Sequence, residues 1–448
     1  MPQNFLSCDR DQELLLPPSV REWLPPDHLA WFLIEVVGAL DLSAFYRDYR
    51  SDGHGRAAYD PQMMVVLVLY NYAVGVRSSR SIERRLQEDV ACRVIAAGQM
   101  PDHATIARFR VRHERALSGL FYEVLALCAE AGMVSVGTVA VDSTKLAANA
   151  SIGQNRTRAG LEAEAERILG EAAAIDARED ELFGERRGDE LPAELADPST
   201  RRARIRQLLE RARENAQQIE AERSGLEARR IEHKAKTGKQ PPGRPPGPGP
   251  SKKQAKALAE TKYNLTDPDS AIVRHRGMLL QGYNVQAAVG EGQVILAARA
   301  TSAAPDHGQL APTLEQAKAN LARVLAEPAP IGQVLADGGY WHARQIAALR
   351  AQGTEVLVPP SERKRLSAER MQPEARHMKG LLATSEGKHA YRRRQQIVEP
   401  VFAHIKHHRG ITRLLRRGRH AVQGEIDLIA TTHNLLKLHR HGLHAARA

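Results

Sequence analysis

The chain has 448 residues, more than one ordinary core absorbs, so roughly two to four domains are expected. Its 64 lysines and arginines against 53 acids leave a formal charge of +11, which favours a polyanionic partner; charge alone argues association and solubility. Cys8, Cys92 and Cys128 stand apart with no pair at redox or metal-ligand spacing, which excludes a disulfide framework and fits a reducing compartment. The N-terminal MPQNFLSCDRDQELLLPPS has acids and prolines where an export signal needs basic and then apolar residues. The strongest apolar run, Met63 to Val76, is shorter than a membrane span, so no membrane partner is expected.

In chain order, residues 12–130 read as helical. LAWFLIEVVGAL (29–40) and MMVVLVLYNYAVGV (63–76) are apolar helices, and SIERRLQEDVACRVIAAG (81–98) repeats apolar residues every fourth position. Asp102 is placed to cap a helix whose first turns carry Arg108, Arg110, Arg112 and His113. These arginines are candidate DNA contacts in a helix-turn-helix-like reader, a reading that competes with a solvated basic helix face.

TVAVD (138–142) then changes the pattern to a short β-branched strand ending in Asp142. From Thr157 to Lys239 the composition turns to Ala, Glu and Arg. Leu161, Ile168 and Ile175 recur every seven residues, as do Ile205, Ala212, Ile219 and Leu226, which predicts two long helices folded back as an antiparallel pair. KTGKQPPGRPPGPGPSKK reads as a tether. TDPDS (266–270) is a turn, with Asp267 and Asp269 as its acids; GYNVQAAVG and QVILAARAT form a hairpin. A helix, a strand ending in Asp337 and the strand TEVLVPP follow. Strand, hairpin, helix, strand, strand, helix is the order of the ribonuclease H-like fold.

Residues 391–410, YRRRQQIVEPVFAHIKHHRG, set one acid, Glu399, among Arg, Lys and His. Carboxylates brought together repel and resist ionisation unless a cation sits among them, so Asp142, Asp337 and Glu399 together predict an oxygen-ligated Mg²⁺ or Mn²⁺. The basic residues around Glu399 suit a polyanion held across such a metal, which points to phosphodiester chemistry on nucleic acid. Pro400 must open or kink its helix, Glu399 and Lys406 lie nearly two turns apart on one face, and Val398, Phe402 and Ile405 form the stripe that seats it. His404, His407 and His408 read as a DNA-facing or solvated set, and AVQGEIDLIATTHNLLKLHRH reads as an amphipathic helix covering the sheet.

Taken together, GRAAYDPQMMVVLVLYNYAVGVRSSRSIERRLQEDVACRVIAAGQMPDHATIARFRVRH, VDSTKLAANAS, TDPDS with GYNVQAAV, ADGGYW and VEPVFAHIK resemble a DDE-type insertion-sequence transposase. The group is the one whose last acid is marked by Tyr, Arg, Glu and Lys. Tyr391 to Arg394 and Glu399 to Lys406 keep its spacing; Arg394 stands one residue too far from Glu399, and Arg392 and Arg393 are substitutes if the helix is irregular.

The resemblance implies an α/β protein. A helical N-terminal DNA-binding domain (1–130) joins a ribonuclease H-like mixed-sheet catalytic domain (131–156 and 262–448). The latter is interrupted by a coiled-coil-like helical hairpin (157–239) and a Pro/Gly-rich basic linker (240–261). Asp142, Asp337 and Glu399 would bind two Mg²⁺ or Mn²⁺ ions for nicking and strand transfer. Lys406, Arg394 and Arg392 would touch phosphates, and Tyr340 or Trp341 would stack on an unpaired base. The implied partners are double-stranded DNA, at element ends and target, and a second copy at synapsis; the implied place is the cytoplasm, on the nucleoid. A nuclease that cuts without joining and a non-catalytic DNA-binding descendant are the alternatives.

Overall fold

A computed structural model describes residues 19–49, 57–167, 198–241, 250–275, 277–325, 330–360 and 372–445. The N-terminal helices are α1 (Leu29–Ala39), α2 (Pro61–Ala73), α3 (Ser79–Glu88), α4 (Val90–Ile95), α5 (His103–Arg112) and α6 (Glu114–Glu130). Helix α2 starts at Pro61 with Asp60 accepting from the Gln62 N–H at 2.6 Å, and it is buried on every side from Met64 to Ala73, as a helix apolar all round must be. The expected helix 81–98 is broken at Asp89, whose side chain caps α4 by accepting from the Cys92 N–H at 2.9 Å. The long helix after Asp102 is likewise broken, at His113, while Asp102 does cap α5 through the Thr105 N–H at 2.6 Å.

The strands are β1 (Thr138–Ala147), β2 (Asn155–Thr157), β3 (Lys262–Asn264), β4 (Ala271–His275), β5 (Met278–Gly290), β6 (Ile295–Thr301), β7 (Gln333–Ala336) and β8 (Glu355–Leu357). Strands β2 and β3 form a ribbon of their own. In the main sheet β1 lies antiparallel to β5 and parallel to β7, β8 follows parallel to β7, and β4 and β6 both pair with β5. This mixed sheet is consistent with a ribonuclease H-like domain.

The helices after β1 are α7 (Pro198–Thr237), α8 (Lys252–Glu260), α9 (Leu310–Val324), α10 (Ala343–Ala351), α11 (Pro373–Ala383), α12 (Ser385–Ala403) and α13 (Arg419–Ala445). Helix α13 closes the β6 edge with side chains. Asn434 bonds both N–H and C=O of Ile295, and Gln423 accepts from Ala300 N–H and donates to Ala298 C=O, each at 2.9 Å, so the edge carries no free ladder groups at these positions.

One hydrophobic core runs from Leu33 and Leu67 through Val124 and Val141 to Ile429, so the N-terminal helices pack directly on the sheet domain. The seam between them is polar and buried. Arg77 donates to Glu425 at 2.5 Å and to Arg413 C=O at 2.7 Å. Arg409 donates to Tyr72 C=O at 2.7 Å, where α2 ends, and to Ile429 C=O at 3.1 Å. Gly75, at φ +86°, lies so close to Arg409 C=O that a Cβ would stand 2.2 Å from that oxygen; only glycine fits.

The helical insertion differs from expectation. Leu161, Ile205, Leu208 and Ala212 pack on Tyr263 and Leu265, but the seven-residue stripe then runs into solvent, with Leu226 55% exposed. Residues 158–167 are helical, and the rest of the expected first helix lies outside the described residues. Part of the expected linker is helix α8, because Ser251 and Gln254 form a capping box.

Candidate active site

Strand β1 does not end at Asp142. Residues 142–147 stay paired with β5, from Asp142 opposite Ala287 to Ala147 opposite Gly282. The parallel ladder to β7 does stop at Val141 opposite Ala336, and Asp337 is the next residue. Asp142 and Asp337 therefore sit where two neighbouring strands part. Asp337 accepts from the Gly339 N–H at 2.9 Å and so caps the turn that follows. Asp142 accepts from the Ser143 N–H and from an Arg394 Nη, both at 2.7 Å. Burial pushes the Asp142 carboxyl up to about 6; the Ser143 N–H and Arg394 oppose this, and the charges of Asp337 and Asp306 add to it.

Arg394 and Glu399 come from α12. Thr384 caps this helix by accepting from the Gly387 N–H at 3.0 Å, and Ile397, Val398 and Val401 bury one side of it; of the expected stripe, Val398 and Ile405 are buried and Phe402 is half-buried. Arg394 reaches from Asp142 to Glu399, at 3.8 Å, with the Tyr391 ring 5.9 Å from its guanidinium carbon. The one-residue offset therefore does not remove Tyr391 and Arg394 from the acids; four residues separate Arg394 from Glu399, but two long side chains span the difference.

The α-helix runs on through Pro400 to Ala403 and gives way to a π-helical turn at His404–His408. Pro400 cannot donate to Gln396 C=O, and the Gln293 side chain, from the β5–β6 turn, donates to it instead at 3.0 Å. The wider turn also breaks the α-helical register on which a shared face for Glu399 and half-buried Lys406 rested.

Next to Asp142 on β1 lies a network that the sequence reading passed over. Lys145 Nζ meets Ser143 Oγ at 3.0 Å, Asn284 Oδ1 at 2.8 Å and Asp306 at 3.1 Å. Asp306 also accepts from Asn284 at 2.8 Å and Gln286 at 2.9 Å. Burial would raise the Asp306 carboxyl, but these side-chain hydrogen bonds and Lys145 outweigh it and hold the group below its ordinary value. The available signal was strand alternation: Ser143 and Lys145 pair opposite Gln286 and Asn284 of GYNVQAAV.

Two comparisons with known families bear on these residues. Residues 18–112, helices α1 to α5, match the family described as Transposase domain (DUF772), and residues 349–439 match the Transposase DDE domain. Both matched families are transposase families, and together they support a DDE-type insertion-sequence transposase. No curated protein and no solved structure matches it. The second match contains Glu399 and Lys406; Asp142 and Asp337 lie outside both matches, and only the strand geometry brings them together.

Other expected contacts of the transposase fall elsewhere. Tyr340 is fully buried with its hydroxyl on Gln286, so it offers no face to a base, and half-buried Trp341 packs against the core. Arg110 turns inward to Tyr72 Oη at 2.6 Å and Arg77 C=O at 2.8 Å; it is a structural residue. Arg112 lies over the Tyr49 ring at 4.6 Å, Arg108 is exposed with its guanidinium on Thr105 at 3.2 Å, and Arg392 is exposed while Arg393 pairs with Glu291 at 2.5 Å. His404 is not a solvated residue: burial holds it down to about 4, and it lines a cavity of about 360 Å³ with His433, Lys437 and Arg440. Asp267 is buried under Tyr283 Oη at 2.9 Å and Gly418 N–H at 3.1 Å, and Asp269 pairs with Arg211 at 2.8 Å, so both brace the turn.

Transposases of this kind normally use divalent ions. Asp142, Asp337 and Glu399 offer only oxygens, and Asp142 is desolvated and already carries a cation, a donor set whose chemistry fits a hard metal. Among the described residues no three His, Cys, Asp or Glu side chains stand close enough to hold an ion. The guanidinium of Arg394 lies on the first of these acids and near the third. No helix among the described residues is long and apolar enough to cross a membrane.

Proposed function

We propose that this transposase binds the terminal inverted repeats of its element, cleaves DNA there and joins the freed strand to a target, with Asp142, Asp337 and Glu399 as the acids that hold Mg²⁺ or Mn²⁺. The observation that carries the reading is the meeting of elements distant in sequence: Asp142 and Asp337 at the parting of two strands, and Glu399 tied towards Asp142 through Arg394. When bound, two divalent ions would polarise the scissile phosphate, activate the attacking oxygen and offset charge on the leaving one.

The chain's own residues supply position and field. The β1–β7 ladder fixes the two aspartates, and the apolar side of α12 fixes Glu399 against the sheet. Arg394 and Lys406 carry positive charge for the phosphates beside the cut. Arg392, Arg108 and Arg112 extend the DNA contacts outward, a second copy joins at synapsis, and the protein works on the nucleoid in the cytoplasm.

The test is a supercoiled plasmid carrying the DNA that flanks the gene, incubated with protein and Mg²⁺. Nicks at the repeat ends and joined products are expected, and neither should form with Asp142→Asn. Nicks without any joined product would favour a nuclease, and unimpaired nicking by Asp142→Asn would remove that residue from the site.

A further inference from the structure

We propose that Arg394 is a placeholder cation, seated on the metal-binding carboxylates while no metal is bound and displaced from them when a divalent ion enters. The inference rests on the reading of Asp142, Asp337 and Glu399 as the metal ligands and adds a role that the reading lacks. One Arg394 nitrogen is 2.7 Å from Asp142 Oδ2 and another is 3.8 Å from Glu399 Oε1, so the side chain bridges the first and third acids. A guanidinium has five N–H donors, and here one of them makes a close hydrogen bond to an acid, while Nε has no partner. Such a group is held by charge more than by a complete set of acceptors.

The same contacts explain why the acids do not already form an ion site. Asp142 Oδ2, an oxygen a metal would need, is occupied by Arg394, and a positive group there repels an incoming cation. The carboxylates are nonetheless kept in place: without a cation, Asp142 would be a desolvated acid facing Asp337 and Asp306. Arg394 can leave because the second acid it bridges is open to water, Glu399 being 55% exposed. Released, it stays on the same helix as Glu399, within reach of a phosphate brought to the metal, a planar donor matched to that anion. Metal entry and phosphate capture are then one exchange: the acids trade Arg394 for the ion, and Arg394 trades a carboxylate for the DNA.

The test is direct Mn²⁺ binding by calorimetry, with full-length protein and no DNA. Arg394→Gln, which keeps the volume and loses the charge, is expected to bind Mn²⁺ at least about tenfold more tightly than wild type, about 1.4 kcal/mol. Adding Asp142→Asn to it should abolish the gain. Arg394→Lys, whose compact charge cannot bridge both acids, should fall between wild type and Arg394→Gln, and it decides the question if the glutamine variant does not fold. Affinity equal to or below wild type in Arg394→Gln or, failing that, Arg394→Lys, with Asp142→Asn still abolishing wild-type binding, overturns the placeholder and leaves the three acids as ligands. Mn²⁺ binding indifferent to Asp142→Asn and Glu399→Gln in every background overturns the acid reading and the placeholder with it.

Discussion

Arg77 and Arg394 each set a guanidinium nitrogen on a carboxylate, at 2.5 and 2.7 Å, yet the two regions around them are built differently. At the seam between the N-terminal helices and α13, Glu425 is fully buried and also accepts from the Leu415 and Arg416 N–H groups at 2.9 and 3.0 Å, while Arg77 has Arg413 C=O as a second acceptor. At the acid edge, Asp142 keeps some exposure, and the second carboxylate near Arg394 lies in water. A buried pair with its lone pairs filled is a lock, strongly destabilising to break. A pair that is partly open to water, beside two further acids, is the candidate site.

The sharpest way to break this comparison is to remove one acid from each region. Asp142→Asn should lower DNA cleavage by about three orders of magnitude, about 4 kcal/mol of barrier, while leaving chemical denaturation nearly unchanged. Glu425→Gln should do the reverse, costing about 3–5 kcal/mol of stability because Arg77 is left buried without its counter-charge, while the Mn²⁺ affinity of the folded fraction holds. Equal loss of stability in both variants would erase the distinction.

Much of the candidate site was legible, because its acids are marked by pattern. Asp142 and Asp337 end or follow β-branched runs, Glu399 stands alone among bases, and the strand and helix order was readable from alternation and turn residues. What escaped was contact at long range. Arg394 meets Asp142 across 252 positions, a contact that its offset from the family spacing argued against and that the reach of an arginine side chain allows. Arg110 looked like a DNA contact because a basic helix turn has the same composition whether it faces phosphate or, as here, Tyr72 and Arg77 C=O. The π-turn after Ala403 has no sequence period of its own, and Pro400 foretold a lost hydrogen bond without naming Gln293 as its replacement.

Two smaller effects sharpen the contrast with other buried carboxylates. Asp267 resembles Glu425 in having its acceptors filled, by Tyr283 Oη and Gly418 N–H, so Tyr283→Phe should cost about 1–3 kcal/mol in denaturant melts and leave cleavage intact once folded. Asp427 is a third kind, half-buried on Gln423 at 2.7 Å, and desolvation raises it from 3.8 to about 6. The folded state then holds its proton more tightly than the unfolded state, so stability from this group is full below about pH 4 and is lost as pH rises through about 6. Asp427→Asn should remove that loss, gaining about 3 kcal/mol at pH 8 and nothing at pH 4.

The claim at the centre is that Asp142 holds the metal on which cleavage depends. The direct measurement is nicking of the flanking-DNA plasmid by Asp142→Cys, since a thiolate disfavours Mg²⁺ and tolerates Mn²⁺. Cleavage absent in Mg²⁺ and regained in Mn²⁺ is the predicted result; full cleavage by this variant in Mg²⁺ would contradict it.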